Sequence, residues 1–123
     1  MREIKFRAKT ATTNRWAYGH YAFTQGHHVV YEDGVPFIIV LNTLGQYTGL
    51  KDKKGVEIYE GDVLKSNVQP CKMVNPIKDG YGVVRFENGM FKLGAISLVT
   101  FISKVEVIGN IYEDKKLLER EEE

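Results

Sequence analysis

The densest group of side chains able to do chemistry is Glu57, Glu60 and Asp62, which crowd around a glycine at position 61. Two carboxylates held together can divide acid and base roles, or offer hard oxygen ligands to magnesium. Glu60 and Asp62 share one face only if Gly61 leaves the strand unbroken. The competing reading is a solvated turn whose acids pair with Lys51, Lys53, Lys54 and Lys65. It asks less of the spacing, which matches no specific metal or catalytic pattern.

The other candidates are sparser. His27 and His28 are adjacent, so on a strand they point to opposite faces and cannot both reach one ion without a bend; His20 stands apart. Cys71, the single cysteine, rules out an intrachain disulfide framework and has no histidine placed by sequence as its base. No phosphate loop, dinucleotide fingerprint or nucleophile elbow is present. We therefore expect no enzyme, no cofactor and no small-molecule substrate; a metal-assisted hydrolase using Glu60 and Asp62 is the weakest of the readings.

Cations near aromatic residues give a second chemistry. Lys5 and Arg7 can line the wet side of a first strand, and Lys51, Lys53, Lys54 and Lys65 gather around a central turn. Trp16 and Tyr18 can stack on bases if exposed. Against this, 17 Lys+Arg nearly balance 16 Asp+Glu for a formal net charge of +1, so no overall field steers the chain toward a polyanion. Protein contact asks for no such field. The run Val35 to Leu41, with Val35, Phe37 and Ile39, and the terminal pair Leu117 and Leu118 can each seat on a partner, including a second copy, or complete the core.

These residues must be positioned by strands. The 123 residues fit one compact domain, or two closely packed lobes of about 1–50 and 51–112 with a tail at 113–123. Arg2 to Ala8 alternates, with Ile4 and Phe6 on the expected inner face. Thr10 to Asn14 suits a hairpin connection, and Trp16 to Phe23 resumes a strand bent near Gly19. Asp33-Gly34 and Asn88-Gly89 mark turns. The run VPFIIVL shows no wet face and predicts a buried strand, too short to cross a bilayer. Asp52-Lys53-Lys54-Gly55 is a charged turn leading to an alternating segment in which Val56, Ile58 and Val63 can face inward, with Gly61 bending the chain before Val63. Residues 66–80 predict a long loop. Tyr81 to Leu93 forms a hairpin, Val105 and Val107 share a face with Glu106 between them, and Leu117 and Leu118 sit in a short C-terminal helix. The expected fold is mostly β, or β-rich α+β: a small curled antiparallel sheet or partial barrel.

Four phrases, MREIKFRA, QYTGLKDKKGVEIYEGDVL, VVRFENGMFKL and VEVIGNIYED, together resemble the YopX family of small phage and prophage proteins. The resemblance covers nearly the whole chain and is most specific in the second phrase. It maps onto Thr48-Gly49-Leu50, Asp52, Gly55, Ile58-Tyr59, Glu60-Gly61-Asp62, Asn88-Gly89 and Gly109-Asn110-Ile111-Tyr112. Lys9-Thr10 stands where family members often carry a tryptophan-aspartate pair. The resemblance implies a phage-associated, β-rich protein. With no apolar signal core after MREIKFRAK and no run long enough to span a bilayer, the expectation from the residues is a protein of the bacterial cytoplasm without membrane association, acting through a protein partner or as a homo-oligomer, or alternatively on nucleic acid.

Overall fold

The computed structural model describes residues 3–66, 81–93 and 96–113. The chain divides into two compact units, Met1–Gly49 and Leu50–Glu123. Among the described residues there are eleven strands and no α-helix, so the fold is mostly β and the α+β alternative is not met. The expected helix with Leu117 and Leu118, and most of the 66–80 loop with Cys71, lie outside the described residues. No helix among the described residues is long and apolar enough to cross a membrane.

In the first unit, β1 (Phe6–Lys9), β2 (Trp16–Thr24), β3 (His27–Glu32), β4 (Val35–Ile38) and β5 (Gly45–Lys51) line up as β4-β3-β2-β1-β5, all pairings antiparallel. β5 continues past Gly49 into the second unit, where β6 (Glu57–Tyr59) is next in the order. Two-residue turns set the register. Gln25-Gly26 and Asp33-Gly34 both have positive φ at both positions, the type I′ geometry whose twist matches that of the flanking strands. Beyond β4 the chain returns to the end of β1: Thr10 and Ile39 form an antiparallel bridge, the Ala11 N–H donates to the Ile38 carbonyl and the Val40 N–H to that of Lys9. A strand three places away in the order thus touches β1 at one corner, which curls the sheet without closing it. Ala8, Ala17, Val30 and Ile39 make its core, with Tyr21, Phe37 and Leu44 packed around them.

The opening strand corrects its expected facing. Ile4 is exposed, whereas Arg7, Ala8, Lys9 and Thr10 are buried in succession. Lys9-Thr10 is a hydrogen-bonding node. The Lys9 N–H donates to Thr43 Oγ1, the Thr10 N–H to the Arg15 carbonyl, and Thr10 Oγ1 meets Thr13 Oγ1 at 2.7 Å.

In the second unit, β7 (Asp62–Ser66), β8 (Tyr81–Glu87), β9 (Met90–Leu93), β10 (Ile96–Ser97) and β11 (Val105–Asn110) form an antiparallel sheet in the order β10-β9-β8-β7-β11. Asn88-Gly89 makes a third I′ turn, and a seven-residue 3₁₀ segment, Leu98–Lys104, leads into β11. Ile58, Leu64, Val84, Leu93, Leu98 and Val105 form the fully buried core. Val56, expected to face inward beside Ile58, is exposed.

Gly61 ties this unit together: its N–H donates to the Val84 carbonyl and its own carbonyl accepts from the Ile111 N–H. Its φ is +92°, and a β-carbon there would lie 2.9 Å from Cε2 of Tyr112. We expect Gly61→Ala to lower stability by about 2 kcal/mol, the sum of a left-handed backbone and a displaced ring. Urea unfolding of the purified variant measures it.

Candidate interaction surface

The cations that were candidates for nucleic acid are engaged with aromatic rings of their own unit. The Arg7 guanidinium lies 4.5 Å from the centroid of Trp16, and Lys9 Nζ 5.3 Å from the same ring. Lys5 Nζ lies 5.2 Å from Tyr47. A guanidinium keeps its charge against a ring face at little desolvation cost, and its stem covers apolar surface, which is how a strand with two cations can be buried. Arg7 is only 6% exposed, so it does not line an open basic face as expected. Trp16 is half-buried and Tyr18 exposed.

The central lysines belong to a different construction. Asp52 is buried, and its carboxylate accepts three backbone N–H groups: Oδ1 from Lys54 at 2.8 Å and Val56 at 2.9 Å, Oδ2 from Val107 at 2.9 Å. Burial by itself pushes this carboxyl upward; the N–H groups of Val107, Val56 and Lys54, helped by the Lys54 charge, outweigh it and hold the pKa below its ordinary value. The Lys53 N–H donates to the Val105 carbonyl, and Lys54 and Lys53 pair with Glu106 at 2.8 and 3.9 Å. Lys65 sits opposite Glu106 across the β7–β11 ladder. Lys51 is exposed at the end of β5.

The acidic cluster does not present a pair of carboxylates to solvent. Asp62 is 2% exposed, and its Oδ2 accepts the Tyr59 N–H at 2.8 Å, capping the turn through Glu60 and Gly61. Glu60 is half-buried, and Glu57 accepts from the Tyr59 hydroxyl. Among the described residues no three His, Cys, Asp or Glu side chains gather in a metal-ligating group. The adjacent histidines do part to opposite faces: His28 Nδ1 meets the Tyr21 hydroxyl and its ring packs on Phe23, while His27 lines a groove.

That groove was not foreseen. About 280 Å³ in volume, it lies on β2, β3 and β4, walled by Val29, Tyr31, Pro36 and Ile38 with Thr24, Gln25 and His27 at one end. The period-two spacing of His27, Val29 and Tyr31 was its only trace in the sequence.

The Val35–Leu41 run is not uniformly buried. Phe37 packs against the core and Ile39 enters it, whereas Val35 is 50% and Ile38 47% exposed, with Val40 and Leu41 also outside. An all-apolar run conceals its alternation; only pairing reveals it. The Ile39 N–H donates to His28 on β3, so Pro36 and Ile38 direct their backbone groups to the free side of this edge strand. There Pro36 has no N–H, and the Ile38 carbonyl is already taken by Ala11. Strand addition is thereby blunted, and what the edge presents is side chains.

The model of a family described as YopX protein matches residues 5–119. The chain is also similar to a solved structure, the crystal structure of protein EF1440 from Enterococcus faecalis. The two are 24% identical with a TM-score of 0.63, over 96% of this chain and 99% of that one, a likeness of fold. No curated protein matches it.

Proposed function

The chain belongs to the YopX family, and from that premise we propose that it is a phage-derived accessory protein of the bacterial cytoplasm that works by binding another protein, a second copy included. The observation that supports this reading is the apolar groove face of β3 and β4, where half-exposed Ile38 and its neighbour Pro36 lie opposite Val29 and Tyr31, while Phe37 and Ile39 anchor the same segment in the core on the other face. A face already formed by paired strands meets a partner at little ordering cost. Blunted backbone pairing makes side-chain fit the means of recognition.

The alternative is an accessory module that binds nucleic acid. The pairing of Arg7 and Lys9 with Trp16 weighs against it, because those groups would have to leave each other first.

Light scattering coupled to size exclusion, with a pull-down from infected or lysogenic cells, tests both. We expect a multimer or a reproducible partner, weakened about tenfold or more by Ile38→Asp, which places a charge where apolar contact forms. A monomer with no partner overturns the protein reading. A mass shift on adding DNA or RNA that disappears at high salt transfers the assignment to the alternative.

A further inference from the structure

β11 is the last strand of its sheet, with β7 on one side. Its other side carries the Val105 carbonyl and the Val107 N–H, since groups two residues apart on a strand point the same way. Both are occupied by the Asp52–Gly55 turn: Lys53 N–H donates to the first and Asp52 Oδ2 accepts from the second. A main-chain donor and a side-chain carboxylate thus imitate one rung of a neighbouring strand. The turn is itself closed by the Gly55 N–H bonding the Asp52 carbonyl and the Asp52 N–H bonding that of Val56.

We infer that this turn is a strap over a self-complementary edge, and that releasing it lets β11 pair antiparallel with β11 of a second copy. With Glu106 at the two-fold axis, Val105 of one copy lies opposite Val107 of the other, and each pair exchanges the N–H and carbonyl groups the strap now holds. The same register sets two Glu106 carboxylates against each other, a like-charge contact that opposes pairing. In the strapped chain Glu106 is instead neutralised by Lys54 and Lys53 from the turn, and it faces Lys65 across the ladder. Opening the edge therefore requires two changes, loss of the Asp52 acceptor and loss of the Glu106 charge. Acid supplies both. Both carboxyls lie below their ordinary values, Glu106 chiefly through its hydrogen bond to Lys54, so the strap stays shut until the solution is distinctly acidic.

The test is the double variant Asp52→Asn, Glu106→Gln at neutral pH, followed by light scattering and by amide exchange across a concentration series. The amide group of the new Asn turns an N–H toward Val107 while leaving the turn an oxygen acceptor, so the release is local. The expected result is a reversible doubling of mass, with the Val107 amide exchanging freely in dilute solution and protected when concentrated. An added Ile38→Asp leaves this doubling intact, which separates it from assembly through the groove face that carries Ile38. Unchanged mass, or a Val107 amide that exchanges at every concentration, overturns the inference. Should the double variant not fold, the wild type is titrated downward in pH: doubling before the far-UV circular dichroism collapses supports the strap, and collapse with no preceding doubling overturns it.

Discussion

Replacing Gly19 by alanine is expected to unfold the first unit. A β-carbon at this position would lie 1.8 Å from the Tyr31 carbonyl oxygen and 2.9 Å from its carbon. Both atoms are main chain, so no side chain can swing aside. β2 is held by β1 on one side, where Gly19 pairs with Phe6, and by β3 on the other, where the ladder begins at His20↔Tyr31. At this bend the Tyr18 N–H donates to Glu32 Oε1 at 2.9 Å, and Arg15 pairs with Oε2 at 3.1 Å. The cost is on the order of 4 kcal/mol or more, the size reserved for a conflict that cannot be relaxed locally. A cooperative transition missing from chemical denaturation of Gly19→Ala, or insoluble expression rescued by reverting the glycine, is the expected result; a variant within about 1 kcal/mol of wild type would show that the two strands can separate here without consequence.

The second large effect is at Asp52. Asp52→Ala strands three backbone N–H groups, of Lys54, Val56 and Val107, and the last is 55 residues away in sequence. Hydrogen bonds to a charged acceptor contribute more than neutral ones, and a buried donor left alone costs its desolvation, so we expect a loss of about 3 kcal/mol at neutral pH. The loss depends on pH. Because the folded carboxyl titrates below its unfolded value, its stabilisation is complete above the unfolded pKa of about 3.9 and vanishes as pH falls through the folded value. Wild type and variant should therefore converge on acidification below about pH 4. Urea midpoints measured at several pH values check this; a gap that stays constant into acid would mean the side chain acts by packing rather than by charge.

Much of the fold was legible, for reasons that can be named. Asn88-Gly89 and Asp33-Gly34 announced hairpins because few residues accept positive φ twice in succession. The alternation of Val105, Glu106 and Val107 gave a strand, and the apolar positions Ile58 and Val63 are buried as expected. What failed did so where a residue type misrepresents its surroundings. Arg7 and Lys9 look solvent-facing but cover Trp16. In VPFIIVL every residue is apolar, so Val35 and Ile38 could not be told from Phe37 and Ile39. Asp52 was read as a turn residue, which it is; its second oxygen serves a strand that no local pattern connects to it. Of the candidate site, the Val35–Leu41 segment was named from sequence, whereas the groove beside it depends on three strands meeting and left only the period-two spacing of His27, Val29 and Tyr31 as a trace.

The sheet order β10-β9-β8-β7-β11 also has a meaning in time. All strands that pair within the first unit have been synthesised by the end of β5, so that sheet can form early. β7 is different: its partner β8 follows directly in chain order, but the strand for its other side, β11, begins only at Val105. At ribosomal speeds of about 5–20 residues per second, β7 waits on the order of seconds with one side unpaired. Asp52 waits longer for Val107. The nascent chain thus exposes a strand edge that the finished protein conceals, and that interval is when it is most open to capture by a chaperone or by a neighbouring chain on the same message.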